Sequence, residues 1–286
     1  MLLMKQSEWE KSPTYNQMVG VGRNTAKPLI SLRMWSVLAP AVLTLAFVGI
    51  WQLLLAVKVL PHTMFPSPSD VVQGFQQEIR SNRLPADIIA SLWRVAAGFA
   101  LSIALGLPAG VALGSSPYVR AAFLPGFNFL RNLSPLAWIG FAIVWFGVGD
   151  APAIFLIFMS IFFPIALSVS ADVAAIPVVY QRVADEYGLS RLERLLKVTL
   201  PAIMPRFVTT LRVAMGVAWL VVVAAEMVAG HNGLGFAIYD DRNALRQDLL
   251  VVHMIVIGVI GVLLDRFLAS FAKNPSLQWG FQRQSL

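Results

Sequence analysis

Residues 151–174 read APAIFLIFMSIFFPIALSVSADVA, and Asp172 is the one charged residue in this stretch. A helix rises about 1.5 Å per residue, so about 20 apolar residues cross a hydrocarbon core about 30 Å thick. A helix also satisfies its own backbone hydrogen bonds, as the lipid interior requires. The stretch therefore predicts a transmembrane helix.

The composition of the whole chain agrees with a membrane protein. Of its 286 residues, 57% are hydrophobic and 13% are charged, and the mean hydropathy is +0.70. Soluble domains are about half apolar and about a quarter charged, whereas lipid-facing surfaces exclude charge. The net charge of +7 is spread along the chain, which is typical of cytoplasmic loops and argues against nucleic-acid binding. Cysteine is absent, which excludes disulfides, thiol catalysis and cysteine-ligated metals.

The same pattern predicts an all-α membrane protein with about six transmembrane helices. Besides 151–174, the predicted spans are residues 36–57, 88–114, 122–147, 203–229 and 249–271. The third span in chain order is interrupted by Pro125, Arg131 and Pro135, and its helix is predicted to break at Asn132 and Pro135. Residues 58–87 are polar and contain four prolines, which predicts a loop outside the membrane.

Basic residues are more numerous in the segments assigned to the inside than in those assigned to the outside. This bias predicts a multi-pass protein with both termini in the cytoplasm. We expect residues 1–35 to form a cytoplasmic N-terminal tail, residues 36–271 a transmembrane domain and residues 272–286 a cytoplasmic C-terminal tail. The longest cytoplasmic loop within the domain is predicted at residues 172–204.

This loop has the pattern of two short helices. Residues 178–187 predict the first helix, and Gly188 is expected to end it because glycine accepts a positive φ. Ser190 and Glu193 have the spacing of a capping box, which begins the second helix. The second helix is expected to stop at two prolines, Pro201 and Pro205. From the pattern alone, the loop is either a docking element or an amphipathic helix that rests on lipid headgroups.

Polar and aromatic side chains at membrane depth are the candidates for a translocation path. An arginine at mid-bilayer costs roughly 2.5–3.5 kcal/mol, so it faces a cavity or a partner. The alternatives are a structural ion pair for Arg94 and Glu226, and snorkelling to the headgroups for Arg212. Trp138 and Trp145 lie seven residues apart on one helical face and form either an interfacial belt or a hydrophobic gate. The candidates for the path are Arg94, Arg131, Asn132, Trp138, Trp145 and Glu226.

Histidines and small residues are assigned structural roles. His62, His231 and His253 fall in or beside the predicted external loops, without metal-like spacing, and are expected to be solvated or interfacial. Small residues at every fourth position let helices approach closely. Two such sets, Ala96, Ala100 and Ala104 together with Gly106 and Gly110, are expected to pack helices within the subunit.

The sequence contains no motif of a soluble enzyme. It lacks the phosphate loop G-x-x-x-x-G-K-[ST] and the zinc motif H-E-x-x-H. No residue is therefore predicted to be catalytic or to bind a metal or cofactor.

Residues 182–201, RVADEYGLSRLERLLKVTLP, resemble the EAA loop of ABC-importer permeases. The family pattern is E-A-A, three residues, Gly, nine residues, Ile, one residue and Leu-Pro. The matching positions are Ala184, Gly188, Val198, Leu200 and Pro201, while Arg182 and Val183 replace the Glu and the first Ala. The resemblance implies that the loop contacts an ATPase through Ala184, Asp185, Glu186, Tyr187, Gly188, Ser190, Leu200 and Pro201.

The resemblance extends over about residues 51–267. FPSPSDV, SLWRVAAGF and IGVIGVLLDR are similar to the permease group for nitrate, sulfonate, taurine and bicarbonate, although this group often has prolines where Asn132, Ser134 and Gly140 stand. The resemblance implies a type I ABC-importer bundle in a bacterial-type inner membrane that transports a small anion. It implies four kinds of partner: a second permease copy, two ATPase subunits that hold ATP and Mg, an extracytoplasmic solute-binding protein and the bilayer. The alternatives are a stand-alone secondary transporter or channel, and an intramembrane enzyme.

Overall fold

The computed structural model describes residues 32–57 and 65–272, and the side chains of 38–57 and 65–270. The chain divides into two compact units, Met1–Val59 and Leu60–Leu286. In the first unit, helix α1 spans Leu32–Ala56 and contains Pro40. Thr44 Oγ1 donates a hydrogen bond to the Pro40 carbonyl at 2.9 Å, and Leu38–Ala56 has a mean hydropathy of 2.0. This helix is long and apolar enough to cross a membrane.

The second unit is built from helices and short connections. Its helices are α2 (Pro68–Arg80), α3 (Arg83–Ser115), α4 (Pro117–Asn132), a 3-10 turn (Pro135–Trp138), α5 (Ile139–Phe146), α6 (Asp150–Ala174), α7 (Val178–Glu186), α8 (Arg191–Arg194), a π-helical turn (Leu195–Thr199), α9 (Leu200–Ala229), α10 (Leu234–Asn243) and α11 (Gln247–Ala272). Across both units, five described helices are long and apolar enough to span a membrane, or six if the bent pair described below is one span. The prediction of an all-α membrane protein with about six spans is confirmed.

The predicted loop at residues 58–87 is wrong over its described part, because this part contains α2 and the start of α3. Ser67 and Asp70 form a capping box in which the Ser67 N–H donates to Asp70 at 2.8 Å and Ser67 Oγ accepts from the Asp70 N–H at 3.2 Å. Pro68 occupies the first turn, where a missing N–H has no cost. Pro68 and Pro85 therefore lie in the first turns of helices and do not mark a loop.

The two prolines expected to stop the second loop helix do not stop it. Arg191–Ala229 is one continuous helical stretch of 39 residues. The π-helical turn Leu195–Thr199 directly precedes Pro201, and the Leu200 N–H donates back to the Leu195 carbonyl. Such a wider turn changes the hydrogen-bond register, which accommodates a residue without an N–H. The predicted second loop helix and the predicted span 203–229 are thus one element.

The predicted span 122–147 is bent. Its two parts, Pro117–Asn132 and Pro135–Phe146, meet at an angle of 87°, so that the pair is a broken span or a re-entrant segment. Ser134 is extended, with φ −61° and ψ 125°, because a following proline disfavours the helical region. The predicted break at Asn132 and Pro135 is therefore confirmed.

Helices α3 and α6 run in the same direction and pack through the small residues of α3. A Cβ added at Gly98, Gly106 or Gly114 would lie within 3.0 Å of α6 side chains. At Gly110 it would lie 2.6 Å from both the Ala166 carbonyl oxygen and the Val169 Cβ. Packing within the subunit is thus confirmed for Gly106 and Gly110. It is wrong for Ala96, Ala100 and Ala104, which are exposed on another face of α3.

A buried guanidinium fixes the end of the bundle at which α3 and α6 begin. Arg94 and Glu226 are both 0% exposed. Arg94 Nη1 donates to Glu226 Oε1 at 2.6 Å and to the Asn232 carbonyl at 2.8 Å. Its Nε and Nη2 donate to Asp150 Oδ1 at 2.8 and 2.6 Å, and Nη2 also contacts the Asn232 side chain. The group Ser91, Arg94, Asp150, Glu226 and Asn232 is called the Arg94 network below.

Further hydrogen bonds attach the start of α10 to this network. Ser91 Oγ donates to Glu226 at 2.8 Å and accepts from the Leu234 N–H at 2.9 Å. The Gly235 N–H donates to Glu226 Oε2 at 2.9 Å, and the Gly233 N–H donates to Asp87 at 2.7 Å. Gly233 has φ +102°, which glycine adopts at little cost. Four segments, α3, α6, α9 and the start of α10, therefore meet at one point.

His253 departs from the prediction of a solvated or interfacial side chain. It is buried in α11 and lies 2.6 Å, Nδ1 to Oδ2, from the buried Asp241 of α10. His231 is exposed, as expected, and His62 lies outside the described residues. Helix α2 lies in the predicted loop 58–87, and its Glu78 lies against the ring of His253. The burial of His253 therefore depends on a helix that was not predicted.

We expect Gly110→Ala to destabilise the bundle by about 1–3 kcal/mol, because the added Cβ meets the backbone of α6 and overpacking costs this amount. Gly258→Ala in α11 is the matched control, since a Cβ there meets nothing within 4 Å. The control is expected to be neutral or to stabilise by about 0.5–1 kcal/mol. Unfolding of the purified protein in detergent measures both changes. Equal effects of the two substitutions would contradict the packing argument.

We expect Arg94→Met to cost about 3–5 kcal/mol, because it leaves the Glu226 carboxylate buried without a counter-ion. Glu226→Gln is expected to cost less, since Arg94 keeps Asp150, which is 47% exposed, as its partner. The double variant should recover part of the Arg94→Met loss. The same unfolding assay measures the loss of stability in each variant. If the loss in the double variant equalled the sum of the two single losses, the ion-pair explanation would be disproved.

Candidate functional site

The first predicted loop helix is α7, and its end has the predicted chemistry. Gly188 has φ +64°. The Gly188 N–H donates to the Asp185 carbonyl and the Leu189 N–H donates to the Ala184 carbonyl, both at 3.0 Å. These two bonds define a Schellman motif, in which a glycine satisfies the last carbonyls of a helix. The prediction that Gly188 ends the helix is confirmed.

The segment after Gly188 is held by polar contacts at the start of α8. Ser190 and Glu193 form the predicted capping box, with the Ser190 N–H donating to Glu193 at 3.1 Å. Lys197 Nζ lies 2.9 Å from Glu193 Oε1, and Arg194 forms an ion pair with Asp185. The Asp185 contact fastens α7 to α8.

The outer face of α7 is apolar and exposed. Tyr187 is 80% exposed, and Val178, Val179 and Val183 are more than half or about half exposed. A groove of about 200 Å³ lies between α7 and the start of α9, lined by residues that include Tyr180, Val183, Tyr187, Val198 and Pro201. Exposed apolar surface of this kind on a short helix marks a contact site for a protein or a membrane.

The other predicted coupling residues are divided between the inside and the surface of the chain. Asp185, Glu186 and Pro201 are exposed, and Leu200 is half-buried at the start of α9. Ala184 is 1% exposed, so its methyl group packs within this chain and is not free to contact a partner. A large side chain at Ala184 would therefore disturb the attachment of α7 before it reached any partner.

Arg131 and Asn132 lie at the bend between α4 and the 3-10 turn. Both are exposed, and Asn132 Nδ2 donates to the Asn128 carbonyl at 2.9 Å. Among the described residues, Arg131 forms no ion pair. Backbone groups freed at a broken helix can bind ions, provided that the break lines a cavity or lies within protein. The bend thus presents an unpaired cation beside interrupted helix backbone.

Aromatic side chains cover the second half of the bent pair. The rings of Trp138 and Trp145 are 6.3 Å apart between centroids, and Phe141 lies 6.0 and 5.7 Å from them. Trp145 also contacts Phe155 of α6 at 5.9 Å, edge to face. The predicted common face is therefore present as a contiguous cluster. Trp145 and Phe141 remain exposed, which fits both the belt and the gate hypotheses.

Arg94 and Glu226 are enclosed in the Arg94 network, and this geometry favours the structural ion pair over a path-lining role for these two. Arg212 is paired as well: its Nε and Nη2 lie 2.5 and 2.6 Å from the two carboxylate oxygens of Asp265 in α11. The charge of Arg212 within a predicted span is therefore explained by this bidentate ion pair and not by snorkelling to the headgroups.

Sequence reasoning missed several polar partners. Asp150 and Asn232 complete the coordination of Arg94, and Glu78 and Asp241 surround His253. A signal was present for Glu78, because the stretch FPSPSDV contains the Ser-x-x-Asp capping pattern that starts α2. No group of three His, Asp or Glu side chains is placed to hold a metal ion in the described part of the chain.

Residues 102–275 match the family described as "Binding-protein-dependent transport system inner membrane component". The nitrate import permease protein NrtB of Synechocystis sp. is 32% identical over 256 residues, which are 86% of this chain and 92% of that protein. The bicarbonate transport system permease protein CmpB of Synechococcus elongatus is 40% identical over 182 residues, which are 63% of this chain and 66% of that protein.

A solved structure has the same fold. A chain of the MetNI methionine ABC transporter, in an inward-facing conformation, superposes with a TM-score of 0.54 at 20% identity, over 65% of this chain and 95% of that chain. This likeness confirms the predicted ABC-importer permease bundle. Because the family match covers more than half of the chain and NrtB is similar over nearly its whole length, the chain belongs to the binding-protein-dependent transport system inner membrane components, the permease subunits of ABC importers.

Proposed function

We propose that this permease moves a small anion across a bacterial-type inner membrane and that α7 couples it to a separate ATPase. The observation that supports coupling most directly is the exposed apolar face of α7, which ends in a Schellman turn and is ion-paired to α8. ATP and Mg then belong to two ATPase subunits beneath the permease.

The construction of α7 suits the transmission of a rigid movement. Its apolar side chains are exposed and available to a partner, the buried Ala184 fixes its inner side, and the exposed Asp185–Arg194 pair links it to α8. Helix α8 continues through the π-helical turn into α9. A force on α7 therefore reaches α9 without an intervening flexible loop.

A small anion is the substrate class that the relatives and the charges support. NrtB is named for nitrate and CmpB for bicarbonate, and the notable free charge at the bend is the cation Arg131. Sulfonates and taurine belong to the same predicted class. An anion is stabilised by a guanidinium and by backbone amides at a helix break.

The remaining partners and the orientation follow from the family. We infer a second copy of the permease in the membrane, an extracytoplasmic solute-binding protein that delivers the substrate, and cytoplasmic termini. In this orientation α7 lies in the cytoplasm, and α2 and α10 lie on the opposite side, where the binding protein docks.

We expect Gly188→Val to abolish substrate-stimulated ATP hydrolysis and co-purification of the ATPase. A β-branched residue at φ +64° costs on the order of 1–3 kcal/mol, which disturbs the turn that holds α7. Gly188→Asn is the matched control, because asparagine tolerates the left-handed conformation and an added Cβ meets nothing within 4 Å. The control should retain coupling. Wild-type coupling in Gly188→Val would show that α7 is not the coupling element.

We expect Arg131→Gln to reduce anion transport by about 10–150-fold, because a hydrogen bond to a charged group contributes about 1.5–3 kcal/mol. Arg131→Lys preserves the charge and should preserve much of the transport. Uptake of labelled nitrate or bicarbonate into vesicles measures transport, and basal ATP hydrolysis by the assembled complex is expected to be unchanged. Equal uptake by the Gln variant and the wild type would remove Arg131 from the path.

A further inference from the structure

Three titratable side chains are buried together where α2, α10 and α11 meet. Glu78 comes from α2, Asp241 from α10 and His253 from α11, and none of them is more than 2% exposed. The cluster lies beside the Arg94 network but shares no side chain with it. Two carboxylates and one imidazole thus occupy a site that water does not reach.

The contacts of His253 Nδ1 indicate that this atom carries a hydrogen. Nδ1 lies 2.6 Å from Asp241 Oδ2 and 3.0 Å from the Leu249 carbonyl oxygen. Both neighbours are acceptors, so Nδ1 must be the donor. A neutral imidazole in this tautomer has an unprotonated Nε2 with a lone pair.

The other side of the ring has no such partner. Nε2 lies 3.8 Å from Glu78 Oε2, and both atoms are buried without a hydrogen bond. Without a further proton, a lone pair faces a buried carboxylate, an arrangement in which neither group is satisfied. One proton, on Nε2 or on the carboxyl group, replaces this repulsion by attraction between a donor and an acceptor across 3.8 Å.

We propose that Glu78 and His253 form a proton-binding site that fastens α2 to α10 and α11. One of the two groups carries the proton and the other faces it across 3.8 Å, while Nδ1 remains bonded to Asp241. The site requires no metal, ATPase or substrate, and it therefore stands independently of the proposed function.

The basic neighbours on the surrounding elements make their shortest contacts with carboxylates outside the cluster. On α3, Arg83 Nη2 lies 2.7 Å from Asp240, and other nitrogens of this guanidinium lie 3.5 Å from Asp241 and 3.8 Å from Asp87.

Before α11, Arg246 is bonded to Asp248 at 2.8 Å and to Gln77 at 3.1 Å. The Asp248 hydrogen bond, with smaller contributions from Asp241 and Glu78, raises the pKa of the Arg246 guanidinium above its ordinary value. Among the described residues, the one ion-pair partner of Glu78 is His253.

Loss of the proton should release α2. The face of α2 that packs inward consists of Val71, Gly74 and Glu78, and a Cβ at Gly74 would lie 3.1 Å from Leu249 of α11. A carboxylate left uncompensated at this face favours exposure to water. Above about pH 6.5, the ordinary range of an exposed imidazole, and below the pH at which the closed pair releases its proton, the closed junction holds one proton more than the open one. Within this window closure weakens as pH rises.

The first test observes the proton at Nε2. The protein contains three histidines, and His62→Gln together with His231→Gln leaves His253 as the one imidazole. Nitrogen NMR of ¹⁵N-histidine-labelled protein in detergent is expected to show a protonated or strongly hydrogen-bonded Nε2 at neutral pH. Glu78→Met, which removes the proton partner, should convert this signal to that of an unprotonated nitrogen. An unprotonated Nε2 in the Glu78 protein would overturn the proposal.

The second test measures the attachment of α2. Because the chain lacks cysteine, Val71→Cys on the buried face and Val72→Cys on the exposed face can be compared for reaction with a thiol reagent. The ratio of the two rates cancels the pH dependence of thiol reactivity. With Glu78 present, the rate for Val71→Cys divided by the rate for Val72→Cys is expected to rise with pH. The rise is up to about tenfold per pH unit, which corresponds to release of one proton.

Glu78→Gln is the matched variant for this test. Its amide donates to a neutral Nε2 without a titratable proton, so the ratio should remain low at every pH. A ratio that is flat with Glu78 present, or that rises equally in Glu78→Gln, would disprove proton-dependent attachment.

Discussion

The buried charge of Arg94 constrains the architecture more than any other single group. A guanidinium in a membrane domain has to be surrounded by acceptors, because neither lipid nor apolar side chains solvate it. Here the acceptors come from the start of α6, the end of α9 and the segment before α10. These three elements are distant in sequence, and the requirement of one side chain brings them to the same place. The close packing of α3 on α6 through glycines then extends this fixed point along the rest of both helices.

The end of α6 that is distant from Arg94 is built differently. Helix α7 follows the end of α6, presents exposed apolar side chains, and is linked to α8 by one surface ion pair. The helical stretch Arg191–Ala229 connects this end to Glu226 without a break. A movement imposed near α7 is therefore opposed at the far end by the Arg94 network. A helix that is held at one end and free at the other suits the coupling role that we propose for α7.

Local chemistry was predictable from the sequence, and long-range pairing was not. Hydropathy located the spans, and the turn at Gly188 and the capping box at Ser190 follow from backbone properties of a few adjacent residues. The burial of His253 could not be predicted, because it depends on α2, whose prolines suggested a loop. The break at Asn132 and Pro135 was predicted and is present, whereas Pro201 was expected to stop a helix that in fact continues through it. In each case the missing information was the position of another element or the exact place of a proline within a helix.

The two buried polar clusters at the α3 start differ in how their charge is balanced. In the Arg94 network, a permanent cation contacts two carboxylates directly, so the contact persists at any pH at which those carboxylates are ionised. Around His253, two buried carboxylates share one imidazole, and Arg83 reaches Asp241 only at 3.5 Å. Asp87 and Arg83 connect the two clusters, since Asp87 accepts from Gly233 beside the first and Arg83 contacts Asp241 in the second. The attachment of α2 can thus change with protonation while α3, α6 and α9 stay joined. The contact of α2 with the His253 cluster thus depends on a proton, whereas the contacts of Arg94 in the core do not.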